Sequence, residues 1–172
     1  MDVIRPPQKL YPAEIYTSTF KIEGEIEPFG RLIDVLNDPG RSFVIVHRVT
    51  ISPLYITNPM KPITVPEISL DKRDILFLNL KSREDREEIR LLTNIQRIIA
   101  YMPQFILRAN FHLGGEVRIR DMMDAMTATF FGITDVTLFP TFSPKTKIPE
   151  KHELLLVNKN FIHTYHSERS GG

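Results

Sequence analysis

The stretch FVIVHRVTISP, Phe43 to Pro53, is built from β-branched and aromatic residues and closed by a proline, which is the composition of a long strand. A second stretch, FFGITDVTLFP, Phe130 to Pro140, repeats its phenylalanine, its Val-Thr pair and its final proline in the same order. Two more pairs of segments extend the match. FKIEGEI (Phe20 to Ile26) aligns with FHLGGEV (Phe111 to Val117), and LLTNIQRIIAY (Leu91 to Tyr101) aligns with LLVNKNFIHTY (Leu155 to Tyr165). Together the three blocks share twelve identities over twenty-nine positions, where unrelated sequences would share roughly two, so the reading is an internal duplication. A competing register, KRDILFLN (Lys72 to Asn79) on KHELLLVN (Lys151 to Asn158), loses the terminal Ile-x-x-Tyr match.

In the preferred register residues 13–102 form a first unit with an insertion at about 54–88, and residues 105–166 form a second. Residues 1–12 are an N-terminal arm and 167–172 a flexible tail. Only Met102, Pro103 and Gln104 separate the units, a linker too short for independent movement. Within a unit, near-alternating apolar positions such as Ile15, Ile22 and Ile26 read as strands, with Gly24 and Gly115 at bends. Leu32, Val35 and Leu36 fall on one face of a short helix stopped by Asp38-Pro39-Gly40, and Met122, Met123 and Met126 repeat that spacing. Asn94 and Asn158 suit tight turns. The insertion reads as an extra hairpin, Ile63 to Leu80, followed by Ser82 to Glu88 as either one helical turn or a solvated loop. The expected fold is mainly β with short helices, each small unit curling into a barrel to bury one face and remove its edges.

Composition narrows the functional classes. The 172 residues carry 22 Lys+Arg against 21 Asp+Glu, a net charge of +1, so the bulk basic excess of a non-specific nucleic-acid or anionic-membrane binder is lacking. The absence of cysteine removes disulfides, thiol nucleophiles and Cys-ligated zinc. The opening MDVIRPPQKLYP lacks the apolar core of a signal peptide, and runs such as Ile75 to Leu78 and Leu154 to Val157 are too short to span a bilayer. The expectation is a soluble, cytoplasmic protein without membrane insertion.

A pattern of strand, Gly-Glu, helix with Leu32, Leu36 and Asn37, Phe-led strand, then Leu155-x-Val157-Asn158-x-x-x-Ile162 resembles an uncharacterised bacterial family of small β domains. More loosely it resembles the Sm-like barrel, which implies two tandem barrels. Asn94 and Asn158 stand where the Sm-like family has an Arg-Gly or Lys-Gly pair, the helix lies between strands, and no Asp-x-x-x-Asn loop follows the second strand. The RNA-binding residues of that family therefore map to no position here.

Candidate chemistry is sparse. His163 and His166 with Glu168 have a metal-like spacing, but on a strand that spacing sends the two rings to opposite faces, and exposed edge histidines are the simpler reading. Glu25 and Glu116 match across the repeat and read as solvent-facing strand residues rather than catalytic carboxylates. Asp34 and Asp124, near Arg31 and Arg120, read as surface ion pairs. No phosphate loop, Ser elbow or dinucleotide fingerprint is present, and no metal or cofactor is implied. The methionines read as core. Phe131, Phe139 and Phe142, aromatic in the second unit only, mark either an exposed patch or the face packed on the first unit; with Arg48, Arg118 and Arg120 they are the candidate interaction surface. The sequence thus points to a non-enzymatic binding or assembly module that contacts a protein partner or its own copy. The alternative is a single-stranded nucleic-acid binder using Lys21, Arg31, Arg41, His47, Arg48, Arg108, Arg118 and Arg120, provided they share one face, and a third, lesser reading is an enzyme whose site matches no known motif.

Overall fold

A computed structural model describes residues 8–169. The first half contains β1 (Tyr11–Tyr16), β2 (Phe20–Glu27), α1 (Leu32–Asn37), β3 (Phe43–Pro53), β4 (Ile63–Asp71) and β5 (Phe77–Leu80). After α2 (Arg83–Glu87) come β6 (Asn94–Tyr101), β7 (Phe105–Leu113), α3 (Ile119–Ala125), β8 (Phe130–Pro140), β9 (Lys151–Asn158) and β10 (Thr164–Ser167). Single 3-10 turns, Lys72–Asp74 and Lys159–Phe161, lead into β5 and β10. The expected N-terminal arm and tail lie partly outside the described residues, while Tyr11 and Pro12 open β1 and Ser167 closes β10.

All ten strands form one antiparallel sheet in the order β10-β6-β7-β8-β9-β5-β1-β2-β3-β4. The mainly-β expectation holds; closed barrels do not form, and the sheet is open. The barrel argument assumed that each small unit must hide both of its edges by itself. Instead the two halves hide one edge each by pairing β5 with β9, Phe77 opposite Val157 and Leu78 opposite Leu156. Among the described residues only the outer sides of β4 and β10 are left as edges.

That junction explains the two longest apolar runs in the sequence. Ile75, Leu76, Phe77 and Leu78 are fully buried, and Leu154, Leu155, Leu156 and Val157 nearly so. Successive side chains on a strand point to opposite faces, so a continuous apolar run requires cover on both. Leu154 and Leu156 enter one core with Ile15, Ile26, Leu36 and Leu78, while Leu155 and Val157 enter a second with Phe105, Leu107 and Ile133. Each core takes residues from both halves. Tyr16 stacks on Phe77 at 4.7 Å between ring centres, and Phe77 meets Phe105 edge-on at 5.1 Å, tying β1 and β5 to β7.

The same local devices recur in each half. β3 and β8 each carry a bulge against β2 and β7, two residues facing the single Gly24 or Ala109, and in it Arg48 and Asp135 adopt left-handed φ values of 50° and 49°. Asp71 accepts from the Arg73 amide at 2.9 Å and Asn158 from the Asn160 amide at 3.0 Å, each nucleating its 3-10 turn. Lys72 donates to the carbonyls of Val35 and Asp38 at 2.8 and 2.7 Å, and Lys159 to that of Met126 at 2.8 Å, satisfying the C-terminal ends of α1 and α3.

These likenesses between the halves follow a different register from the sequence alignment. Phe43–Pro53 and Phe130–Pro140 do occupy matching strands, β3 and β8. Leu91–Tyr101 and Leu155–Tyr165 do not: the former includes β6, which pairs with β7 and β10, whereas the latter runs through β9 into β10. Phe20–Ile26 resembles Phe105–Phe111 by the bulge it faces, and not Phe111–Val117, which leaves β7 for the approach to α3. The segment Ile63 to Leu80 is not a hairpin, because β4 lies at one end of the sheet and β5 at its centre. Arg83–Glu87 is helical, anchored by the buried Asp85, whose carboxylate meets Lys9 at 2.9 Å.

Candidate functional site

The two exposed edges are the features most open to a partner. On β4, the Lys72 amide donates to the Ser42 carbonyl, and antiparallel alternation therefore turns the main-chain groups of Ser69 and Asp71 away from β3. On β10, the Glu168 amide donates to the Arg97 carbonyl, which turns those of Tyr165 outward. Among the described residues no strand pairs with either outer side. The β4 edge carries Glu67 and Asp71, and the Arg73 guanidinium holds the Asp71 carboxyl below the usual carboxylate range. The β10 edge carries His163 and His166, both exposed; the His166 Nε2 shares a hydrogen bond of 3.1 Å with the Tyr101 hydroxyl.

The internal junction shows how such edges join. The Asn158 amide donates to the Leu76 carbonyl at 2.9 Å, and its side-chain Nδ2 donates to the Ile75 carbonyl at 2.9 Å. Asn158 is buried with both side-chain atoms used. The tight-turn reading of this residue missed the cross-junction bond, which a continuous apolar run ending in a single polar residue could have signalled.

The candidate interaction residues are dispersed. Phe142 packs between Tyr55 and Phe105, at 4.6 and 5.6 Å, in contact with the first half. Phe131 lies against Phe111 and lines a cavity, and Phe139 is exposed on β8. Arg48 is ion-paired with Glu25 at the β2–β3 bulge; Arg118 precedes α3 and Arg120 is exposed on it. The cavity, about 450 Å³, is mainly apolar and bordered by Met122, Met126, Leu91, Leu92 and Phe131; of the three methionines Met123 is buried, Met122 packs against the second core and Met126 lines the cavity. His112 at its rim is bonded to the Leu92 carbonyl and the Thr134 hydroxyl.

The remaining sequence candidates do not converge. Glu25 is bound to Arg48, whereas Glu116 is exposed before α3. Arg31 and Asp34 form the expected surface pair at 2.8 Å; Asp124 is exposed. Among the described residues no three His, Asp or Glu side chains are placed to share a metal ion. His152 is buried, which pushes its imidazole pKa down, and its Nε2 lies 2.8 Å from the Pro149 carbonyl. Burial also lowers the Lys72 pKa. No described helix is long and apolar enough to cross a membrane. Compared with family models, curated proteins and solved structures, the chain matches none.

Proposed function

We propose that this protein is a non-enzymatic assembly module, built from two copies of one Sm-like β unit, which contacts other protein chains through the open ends of its sheet. One observation carries the reading: two outward-facing ladders of amides and carbonyls, at β4 and β10, stand at the ends of a sheet whose halves are themselves joined edge to edge. A sheet edge offers main-chain hydrogen bonds to any extended or β-rich partner. The shared bulges, capped turns and helix-capping lysines support descent of the halves from one unit. The nucleic-acid reading draws less support. Of its eight basic residues, Lys21, Arg31, Arg41, His47, Arg48 and Arg108 are already paired with carboxylates.

The test compares wild-type protein with Ser69→Pro and Tyr165→Pro, which remove an outward amide without breaking the inner ladder. Sedimentation of the purified protein and affinity capture from its host should both register association that the edge variants reduce. A strict monomer whose captured proteins are unchanged by either variant would sink the proposal.

A further inference from the structure

Resting on that reading, we infer that the partner at each edge is a second copy of this chain, β4 of one copy pairing antiparallel with β10 of the next in the register that β9 and β5 use inside the molecule. β4 leads into its 3-10 turn as β9 does, with Asp71 in the place of Asn158. β10 leaves its turn as β5 does, with Ile162 in the place of Ile75, each donating its amide to the lysine carbonyl at the start of the turn. Transferring the internal register sets Leu70 opposite Thr164, as Val157 faces Phe77, and Ser69 opposite Tyr165, as Leu156 faces Leu78. The main chain is already aimed for this. Ser69, Asp71 and Tyr165 turn their amides and carbonyls outward, the positions at which Leu156, Asn158 and Leu78 make the internal ladder. The Asp71 amide then meets the His163 carbonyl as that of Asn158 meets Leu76.

The side chains set the strength of the joint. Inside the chain Leu154 and Leu156 fill the first half's core, and Leu76 and Phe77 fill the second's. Their counterparts at the outer edges are Glu67, Ser69, His163 and Thr164, all polar. The Asn158 Nδ2 bond to Ile75 also has no equivalent, since Asp71 presents a carboxylate to the Ile162 carbonyl. The outer joint therefore rests on main-chain pairing, and it is reversible where the inner joint is permanent. Because β4 and β10 are different surfaces, a pair of chains still has one of each to offer, and growth continues until a ring closes or a filament forms.

The chain has no cysteine, so introduced thiols report contacts without background. Ile68→Cys and His166→Cys, made in separate chains, fall opposite each other at a non-hydrogen-bonded pair, where β-carbons are closest. Mixed and mildly oxidised, they should yield disulfide-linked dimers well above either protein alone and above Ile68→Cys mixed with Ser167→Cys, which faces the other way. Sedimentation of wild-type protein should show concentration-dependent species beyond the dimer. Asp71→Asn, which restores the missing donor, should tighten association about fivefold, as one net hydrogen bond does. A monomer at every concentration, or cross-linking no greater than in the mismatched mixture, overturns the inference. If it falls while Ser69→Pro still weakens capture of a different protein, the assembly reading survives and only the occupant was wrong; if capture is also unaffected, both fail.

Discussion

Replacing Asn158 by Asp changes one atom at the junction and tests whether the two halves are held as described. Asn158 is buried, accepts from the Asn160 amide at 3.0 Å and donates from Nδ2 to the Ile75 carbonyl at 2.9 Å. Aspartate keeps the acceptor but points a second oxygen at a carbonyl. When protonated, it can donate as asparagine does; when ionised, it is a buried charge facing a dipole of the wrong sign. A folded-state pKa raised by about two units from the ordinary aspartate value costs about 2.7 kcal/mol. The sign follows from linkage: a carboxyl whose folded pKa is raised retains its stability below the unfolded value and loses it as pH climbs through the folded one. The variant should thus match wild type at about pH 4 and fall about 2–3 kcal/mol below it at pH 7.5, a melting shift of roughly 5–10 °C for a chain of this size. Urea unfolding of both proteins across that pH range measures it. A deficit under about 0.5 kcal/mol at pH 7.5, or one independent of pH, refutes the reasoning.

Three further outcomes follow from the same geometry. Leu156→Ala should cost about 2–5 kcal/mol, as for truncation of a fully buried leucine, whereas Ser69→Ala at the corresponding exposed position should stay within about 0.5 kcal/mol; equal effects in urea would show the two sites are not in contrasting settings. Neutral, buried His152 has a depressed pKa, so its stabilising effect is complete above the ordinary value of about 6.5 and is lost as pH falls below it. His152→Gln should flatten the decline in unfolding midpoint between about pH 7 and 5, and an unaltered slope would place the titrating group elsewhere. A β-carbon at Gly24 would stand 2.8 Å from both the His47 carbonyl and Val46 Cγ1, so Gly24→Ala should lower stability by about 1–3 kcal/mol in thermal melts; a neutral result would mean the bulge opens to admit it.

The strand composition of Phe43–Pro53 and Phe130–Pro140 was legible because β-branched and aromatic residues act locally, through their own rotamers and pleat. The helix at Leu32–Asn37 was legible for the same reason, its apolar spacing and Pro39 both being local signals. What could not be read was pairing. Identities at Leu91–Tyr101 and Leu155–Tyr165 arise from similar apolar strands, yet one belongs beside β7 and the other spans β9, the turn and β10. The structural likeness of the two halves rests on chemical equivalents rather than identities: Asp71 with Asn158 as turn caps, and Arg48 with Asp135 as the left-handed residues of the β3 and β8 bulges. The edges were illegible for another reason. Nothing in Ile63–Asp71 distinguishes a strand with one neighbour from one with two until its partners are known.

The apolar runs do hold that information once their context is given. In a soluble antiparallel sheet a strand covered on one face alternates, as Phe105–Leu113 does with its buried residues at every second position. Leu154–Val157 breaks that rule, and a strand can do so only if both faces are covered. A single small unit has one core and cannot supply the second cover, so the run itself requires that another unit lie against it. The first half meets the requirement for the second, and its own apolar run, Ile75–Leu78, is covered in return. By the same argument β4 and β10, which alternate or are polar throughout, are built to remain stable with one side in water. A permanent joint has apolar residues where cover is guaranteed, and a reversible one must have residues that tolerate solvent whenever the partner leaves. Polar residues at Glu67, Ser69, His163 and Thr164 are therefore what a reversible use of the same edge geometry demands.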